Sequence, residues 1–139
     1  EAKSALTAAG SSGRADVAHY LLALDDPRMR SSDRLRLIFG VVGTVETRDL
    51  GTEWVLANYE RLIAGANGVF ITTRLPSAFA SQCGADRAAS IDAKVGPTIR
   101  AANVGLLAYQ RTLETIRLCG ALRDAKAGEI AAAVSSAGR

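Results

Sequence analysis

The sequence has few aromatic residues and few prolines. Aromatic side chains make up 5% of its 139 residues and prolines number three, whereas hydrophobic residues as a whole make up 48%. Small and aliphatic side chains must therefore supply most of the core, a composition that favours packed helices. Because this length suits one hydrophobic core, we predict a single all-α domain over residues 1–139.

The sequence also lacks a strong excess of either charge. Seventeen Lys and Arg residues against fourteen Asp and Glu residues give a formal net charge of +3. This excess is too small and too dispersed to indicate a nucleic-acid partner. One local cluster, interpreted as a solvent-facing surface, consists of Arg28, Arg30, Arg34 and Arg36, interrupted by Asp33.

No uninterrupted apolar stretch has the length that a membrane span requires, so no membrane contact is expected. Cysteine is scarce as well, and Cys83 and Cys119 lie far apart without the close partner that structural zinc sites use. We interpret them as two buried free thiols in a reducing compartment, which favours a cytoplasmic location. A disulfide between them remains open, because pairing depends on the geometry of the fold.

The only histidine is His19. A zinc peptidase motif needs two histidines one helical turn apart with a glutamate, so this chain cannot form that site. Neither a nucleophile elbow nor a reactive-cysteine context accompanies His19, which we interpret as an ordinary surface or core imidazole. No catalytic, metal-binding or cofactor-binding residue is therefore assigned, although a hydrolase that uses His19 stays an alternative.

Helical periodicity covers most of the chain. Glycines at 10 and 13 end a first alanine-rich helix, the run 25–27 ends a second, and Gly43 ends a third. Ser31 or Ser32 is the expected cap of the third helix, and Thr47 that of a fourth, which ends before Gly65 and Gly68.

The second half is less regular. Residues 69–73 have strand-like composition but are short and isolated, so we interpret them as a turn into a short helix. A weakly patterned helix over 86–95 is expected to end at Gly96 and Pro97. A long helix over 101–122 and a separate last helix over 127–137, packed on it through Ile130 and Val134, complete the prediction.

Some seven or eight helices fit either an α-solenoid of stacked helix pairs or an irregular bundle, and the pattern leaves both open. Aromatic residues on or beside the helical stripes are expected to belong to the core. They are Phe39, Trp54, Tyr59, Phe70, Phe79 and Tyr109.

Four segments, taken in order, resemble the C-terminal helical domain of the aminopeptidase N family of zinc metallopeptidases. They are residues 21–25 with 29–33, Trp54 with 58–62, residues 75–77 with Phe79 and Cys83, and residues 111–119. The sequence departs from the family where many members carry a phenylalanine pair, a region occupied here by residues 95–97. Gly51 and Gly105 are also expected to interrupt helical runs.

This resemblance implies a superhelix of HEAT-like antiparallel helix pairs. In the intact enzyme such a domain closes over the catalytic domain and bounds the chamber where peptides bind. The zinc ligands and catalytic glutamate would lie upstream, so this chain would hold no cofactor while its parent holds zinc. Its partners would be the upstream catalytic domain and the peptide substrate, and a first residue other than methionine fits such a continuation.

Basic side chains on the concave surface of such a domain could attract the carboxyl end of a substrate. The candidates are Arg48, Arg111 and Arg117. The competing hypothesis is a freestanding helical-repeat module that binds another protein in its groove.

Overall fold

The computed structural model describes residues 2–24, 28–64 and 68–137. Within these ranges every regular element is helical. The elements are α1 (Ala2–Gly10), α2 (Ala15–Ala23), α3 (Ser31–Gly43), α4 (Arg48–Ile63), α5 (Gly68–Arg74), a 3-10 helix (Leu75–Ser81), α6 (Ala85–Ala102) and α7 (Leu106–Ala137). The predicted all-α class is confirmed.

The helix ends in the first half lie close to the predicted ones. The predicted serine cap of α3 is wrong, whereas Thr47 does occupy the N-cap position of α4. Arg30, not a serine, occupies the N-cap position of α3, and its side chain makes no capping hydrogen bond. Thr47 does precede α4, yet its hydroxyl donates to the carbonyl of Val41 at 2.8 Å instead of accepting from the helix amides. Thr47 therefore ties the α3–α4 connection to α3. The helix ends predicted at 25–27 and before Gly65 fall outside the described residues, and so does Glu1.

The predicted break at Gly96 and Pro97 is wrong, because α6 continues through both residues to Ala102. Val95 and Ile99 on either side are buried, and Pro97 is exposed. A proline inside a helix removes one backbone hydrogen bond. Burial of the neighbouring aliphatic side chains offsets that cost.

The predicted separation of the last two helices is also wrong. Residues 101 and 102 belong to α6, and one continuous helix, α7, runs from Leu106 to Ala137. Residues 123–126 contain no helix breaker, so nothing in the sequence ends the helix there. The expected packing of the end is absent as well, since Ile130 and Val134 are 59% and 68% exposed.

The core lies where α3, α4, the 3-10 helix, α6 and the first half of α7 meet. Helix α1 packs chiefly on α3, α3 packs on α4 and the 3-10 helix, and α7 packs on α6 and the 3-10 helix. The side chains that are fully shielded from solvent include Val41, Val55, Tyr59, Leu75, Phe79, Ile91 and Ile116. Gly51 lies inside α4 and does not interrupt it, contrary to expectation.

Polar contacts tie the 3-10 helix to its neighbours. The buried Gln82 side chain donates to the hydroxyl of Thr52 on α4 at 2.8 Å, and the Ser81 hydroxyl donates to the carbonyl of Val42 on α3 at 2.8 Å. Because buried polar groups are costly when unpaired, these contacts fix where the 3-10 helix sits.

Cys83 and Cys119 form a disulfide, so the interpretation of two free buried thiols is wrong. Their Cα atoms are 5.1 Å apart, within the range that a disulfide bridges. The adjoining glycines explain this approach: a Cβ atom on Gly120 would lie 2.6 Å from the Cα atom of Gly84. The amide of Gly84 also donates to the carbonyl of Ile116 at 2.9 Å.

Three of the predicted core aromatics, Tyr59, Phe79 and Tyr109, are buried, and two, Phe39 and Trp54, are half-buried. Phe70 departs from the prediction, because 42% of its surface is exposed. No helix among the described residues is long and apolar enough to cross a membrane.

Candidate functional site

The three arginines expected to contact a substrate lie on two helices. Arg48 is the first residue of α4 and is half-buried, and its shielded Nε atom has no hydrogen-bond partner among the residues that the structure describes. Arg111 and Arg117 are exposed on the first half of α7. No hydrogen bond or ion pair within the described ranges links the three, so their shared role stays a prediction.

Arg117 lies near a small polar network between α6 and α7. Asp92 accepts hydrogen bonds from the Tyr109 hydroxyl at 2.8 Å and from Arg100 at 2.9 Å, both through Oδ1. Gly96 leaves room for this pair, since a Cβ atom there would lie 2.3 Å from Asp92 Oδ1. A larger residue at position 96 would require the ends of the Asp92 and Arg100 side chains to move.

The charges of this network decide its protonation. Burial pushes the pKa of Asp92 up, but the hydrogen bonds from Tyr109 and Arg100, with the charges of Arg100 and Arg117, outweigh burial and hold that pKa below its usual value. Burial, and then the hydrogen bond to Asp92, raises the pKa of Tyr109. Asp92 thus stays ionised and Tyr109 neutral at pH 7, so the network serves to hold α6 on α7.

Tyr59 is the other deeply buried phenol. Burial raises the pKa of Tyr59 to about 12. Among the described residues its hydroxyl has no hydrogen-bond partner, although the nearby Thr72 side chain offsets part of the rise in pKa. A neutral phenol in this setting packs the core and is not poised for proton transfer near neutral pH.

His19 is exposed on α2, and its interpretation as an ordinary imidazole stays a prediction. Across the described part of the chain, no group of three or more His, Cys, Asp and Glu side chains is placed to hold a metal ion.

Two adjoining cavities of about 230 and about 450 Å³ lie along α3 and α5, and they share Ser32 and Phe70. We call them together the α3–α5 groove. Its described lining consists of Met29, Arg30, Ser31, Ser32, Leu35, Arg36, Phe39, Phe70, Arg74 and Ser77. A further cavity of about 370 Å³ extends from Met29 towards Leu6.

The helical spacing of the lining residues on α3 and α5 brings their side chains to the groove. Ser32, Arg36 and Phe39 are four and then three residues apart on α3, so they share one face. Phe70 and Arg74 are four residues apart on α5, and the Arg74 guanidinium lies 5.8 Å from the centre of the Phe70 ring. Helix α5 packs mainly on α4 and the 3-10 helix rather than on α3, which leaves the space between α3 and α5 open.

The groove carries positive charge on an apolar floor. Arg36 pairs with Asp33 at 3.0 Å, and Arg30 lies 3.7 Å from the other oxygen of the same carboxylate. The smaller cavity is lined by Arg36 and Arg74 and, among its described residues, by no carboxylate. Such a surface suits an anionic group attached to an apolar body.

The groove as a whole could not be predicted from the sequence. The arginine cluster does face solvent at Arg28, Arg30 and Arg36, as predicted, while Arg34 is half-buried. The spacing of residues 32, 36 and 39 in the sequence already indicates that they share one face of a helix. The contribution of α5 is not indicated in this way, because Phe70 and Arg74 reach the groove only through the fold.

Comparison of the chain with protein-family models, with curated proteins and with solved structures found no match.

Proposed function

We propose that this chain is a non-catalytic helical domain of a zinc aminopeptidase of the aminopeptidase N family, and that it contacts peptides beside an upstream catalytic domain. The four ordered sequence resemblances support the family. Because this chain has a single histidine, the proposal assigns the zinc ligands to the upstream domain.

The observation that carries the proposal is the α3–α5 groove. It is an open surface of two adjoining cavities that combines Arg36 and Arg74 with the exposed ring of Phe70. An extended peptide offers charged and apolar side chains in close succession, and peptide-binding surfaces combine the same two kinds of contact. In the parent enzyme such a surface would favour peptides over single amino acids and so influence which substrates enter the chamber.

The arrangement of the helices is compatible with this role. Consecutive helices α3 and α4, and α6 and α7, pack on each other, as helix pairs of a superhelix do. A HEAT-like superhelix that caps the active-site chamber is part of the proposal.

The disulfide bears on where the parent works. A cytoplasmic location was expected from unpaired thiols, and the bond between Cys83 and Cys119 removes that support. Disulfides persist mainly in oxidising compartments, so we favour such a compartment for the parent.

The proposal predicts a longer product of the same gene that carries the upstream domain, and the test compares that product with this 139-residue chain. We expect the longer product, supplied with zinc, to hydrolyse a fluorogenic amino-acid amide, and this chain alone to leave it intact. Within the longer product, Arg36→Ala should raise KM for peptide substrates by about fivefold, because a charge-assisted contact is lost. Arg123→Ala, on the exposed end of α7, is the matched control with unchanged KM. Hydrolysis by this chain alone would contradict the proposal.

A freestanding protein-interaction module is the second candidate. The second half of α7 favours it, because Leu122, Ile130 and Val134 are each at least 59% exposed there. Apolar side chains in such a row commonly contact another protein. Failure of both the long and the short product to hydrolyse the amide would support this candidate.

A further inference from the structure

We propose that the α3–α5 groove binds an internal segment of an acidic peptide, in which an aspartate or glutamate side chain adjoins an aromatic or large aliphatic one. This inference rests on the proposed role of the groove in peptide contact, and it adds the kind of peptide that fits. It concerns a surface whose residues lie apart from the three arginines expected from the sequence.

The negative charge of the ligand is inferred from the basic lining of the smaller cavity. Arg36 and Arg74 line it, and its described lining holds no acid. Arg36 uses Nη1 for Asp33, and its side chain remains 46% exposed. Arg74 is exposed, and its guanidinium lies 5.8 Å from the centre of the Phe70 ring. A carboxylate is the group that such arginines bind best in a peptide.

The need for an apolar side chain in the ligand is inferred from the apolar floor of the smaller cavity. Leu35 is buried, Phe39 is half-buried and Phe70 is 42% exposed, and all three line the same small cavity. Covering an exposed aromatic ring stabilises a complex, and an aromatic or large aliphatic side chain fits that ring. A ligand with charge alone would leave this floor in water.

The extent of the groove favours an internal segment over a chain end. The larger cavity adjoins the smaller one at Ser32 and Phe70 and brings a further arginine, Arg30, to the lining. Basic groups therefore lie in both cavities. A single terminal carboxylate would occupy one of them, whereas a segment with two acidic side chains would place one in each.

The experiment is a titration of the isotope-labelled 139-residue chain with peptides acetylated and amidated at their ends, followed by NMR. The first peptide carries a Glu-Phe-Glu core and the second carries Gln-Phe-Gln in its place. We expect the acidic peptide to bind with a dissociation constant on the order of 10–100 μM and to shift the amide signals of Ser32, Arg36 and Phe70. The uncharged peptide should bind at least about tenfold more weakly.

Variants locate the site. Arg36→Ala and Arg74→Ala should each weaken binding of the acidic peptide by about five- to tenfold, and added salt should weaken it further. The control Arg123→Ala removes an arginine of similar exposure, paired with Asp124 on α7, and should leave binding unchanged. Because the two peptides differ while the protein stays the same, their comparison holds even where a variant folds poorly.

Three results would overturn the inference. The first is equal binding of the two peptides, and the second is stronger binding of a Gln-Phe-Gln peptide with a free terminal carboxylate, which would assign the groove to chain ends. The third is tighter binding of a single-stranded oligonucleotide than of the acidic peptide. None of these bears on hydrolysis of the amino-acid amide by the longer gene product, so failure of this inference is distinguishable from failure of the proposed function.

Discussion

Helix α7 consists of two halves with opposite surroundings. From Leu106 to Gly120 it buries one face, with Tyr109, Leu113 and Ile116 shielded from solvent. From 121 to 137 every residue is exposed. Helices without tertiary contacts are only marginally stable, so the second half is helical because it continues an anchored helix and is rich in alanine. The first half of α7 is thus held by packing, and the second half depends on intrinsic helix propensity.

The disulfide lies where the two halves meet. Cys119 precedes Gly120, the last buried residue of α7, and joins Cys83 across a separation of 36 residues. Burial of α7 against the rest of the fold therefore ends beside this bond. Four predictions test how sharply the halves differ.

The largest effect is expected from Cys83→Ser. Loss of a crosslink that closes a loop of this length gives the unfolded chain more freedom, a destabilisation of about 3–4 kcal/mol. Denaturant unfolding of the oxidised protein and the variant measures it. Reduction of the wild-type protein should reproduce most of this loss, and equal stability of the reduced and oxidised forms would show that the bond does not anchor α7.

The second prediction compares two isoleucines of α7. Ile116→Ala removes a fully buried side chain and should destabilise the protein by about 3 kcal/mol. Ile130→Ala removes an equal side chain that is 59% exposed and should change the free energy of unfolding by less than about 0.5 kcal/mol. A large loss for Ile130→Ala would mean that the second half is packed in solution, as a contact between two copies would produce.

The third prediction compares two glycines of the same helix. A methyl group on Gly120 would lie 2.6 Å from the backbone of Gly84, so Gly120→Ala should destabilise by about 2 kcal/mol. Gly128 has no neighbouring atom within 4 Å of such a methyl group, so Gly128→Ala should stabilise by about 0.5–1 kcal/mol through helix propensity alone. Thermal unfolding of both variants would show shifts of opposite sign, and shifts of one sign would contradict the comparison.

Local signals explain what the sequence could predict. Gly10 and Gly43 mark helix ends because glycine is unfavourable within a helix and common just after one, and α1 and α3 end there. The helix break predicted at Pro97 does not occur, and the reason is tertiary, not local. Burial of Val95 and Ile99 between helices is a tertiary effect that outweighs a local preference, and no window of sequence contains it.

The disulfide and the groove show where such reasoning stops. The bond requires Gly84 and Gly120 to touch, although they come from distant parts of the chain. The α3–α5 groove requires Arg74 to lie beside Arg36, which only the path of the chain between them decides. By contrast, the solvent-facing positions of Arg28, Arg30 and Arg36 could be predicted from the local run of charge.

The smallest expected effect concerns charge, and it again separates the two halves of α7. Asp92 faces Tyr109 and Arg117 of the packed half and Arg100 of its own helix, and its pKa is held below the usual value. A carboxyl group with a lowered pKa stabilises the fold above its unfolded pKa of about 4, and that contribution is lost as pH falls through its folded pKa. Asp92→Asn should therefore destabilise by about 1 kcal/mol at pH 7.

The pH dependence distinguishes charge from shape. Asparagine keeps an acceptor for the Tyr109 hydroxyl, so the difference between wild type and Asp92→Asn should persist at pH 5 and shrink below about pH 4. Asp124→Asn is the control, because its pair with Arg123 lies on the exposed half and both side chains are more than 60% exposed. Such pairs contribute little to stability, so no measurable change is expected at any pH. A difference for Asp92→Asn that stays constant down to pH 3 would mean that the carboxylate acts through its shape and not through its charge.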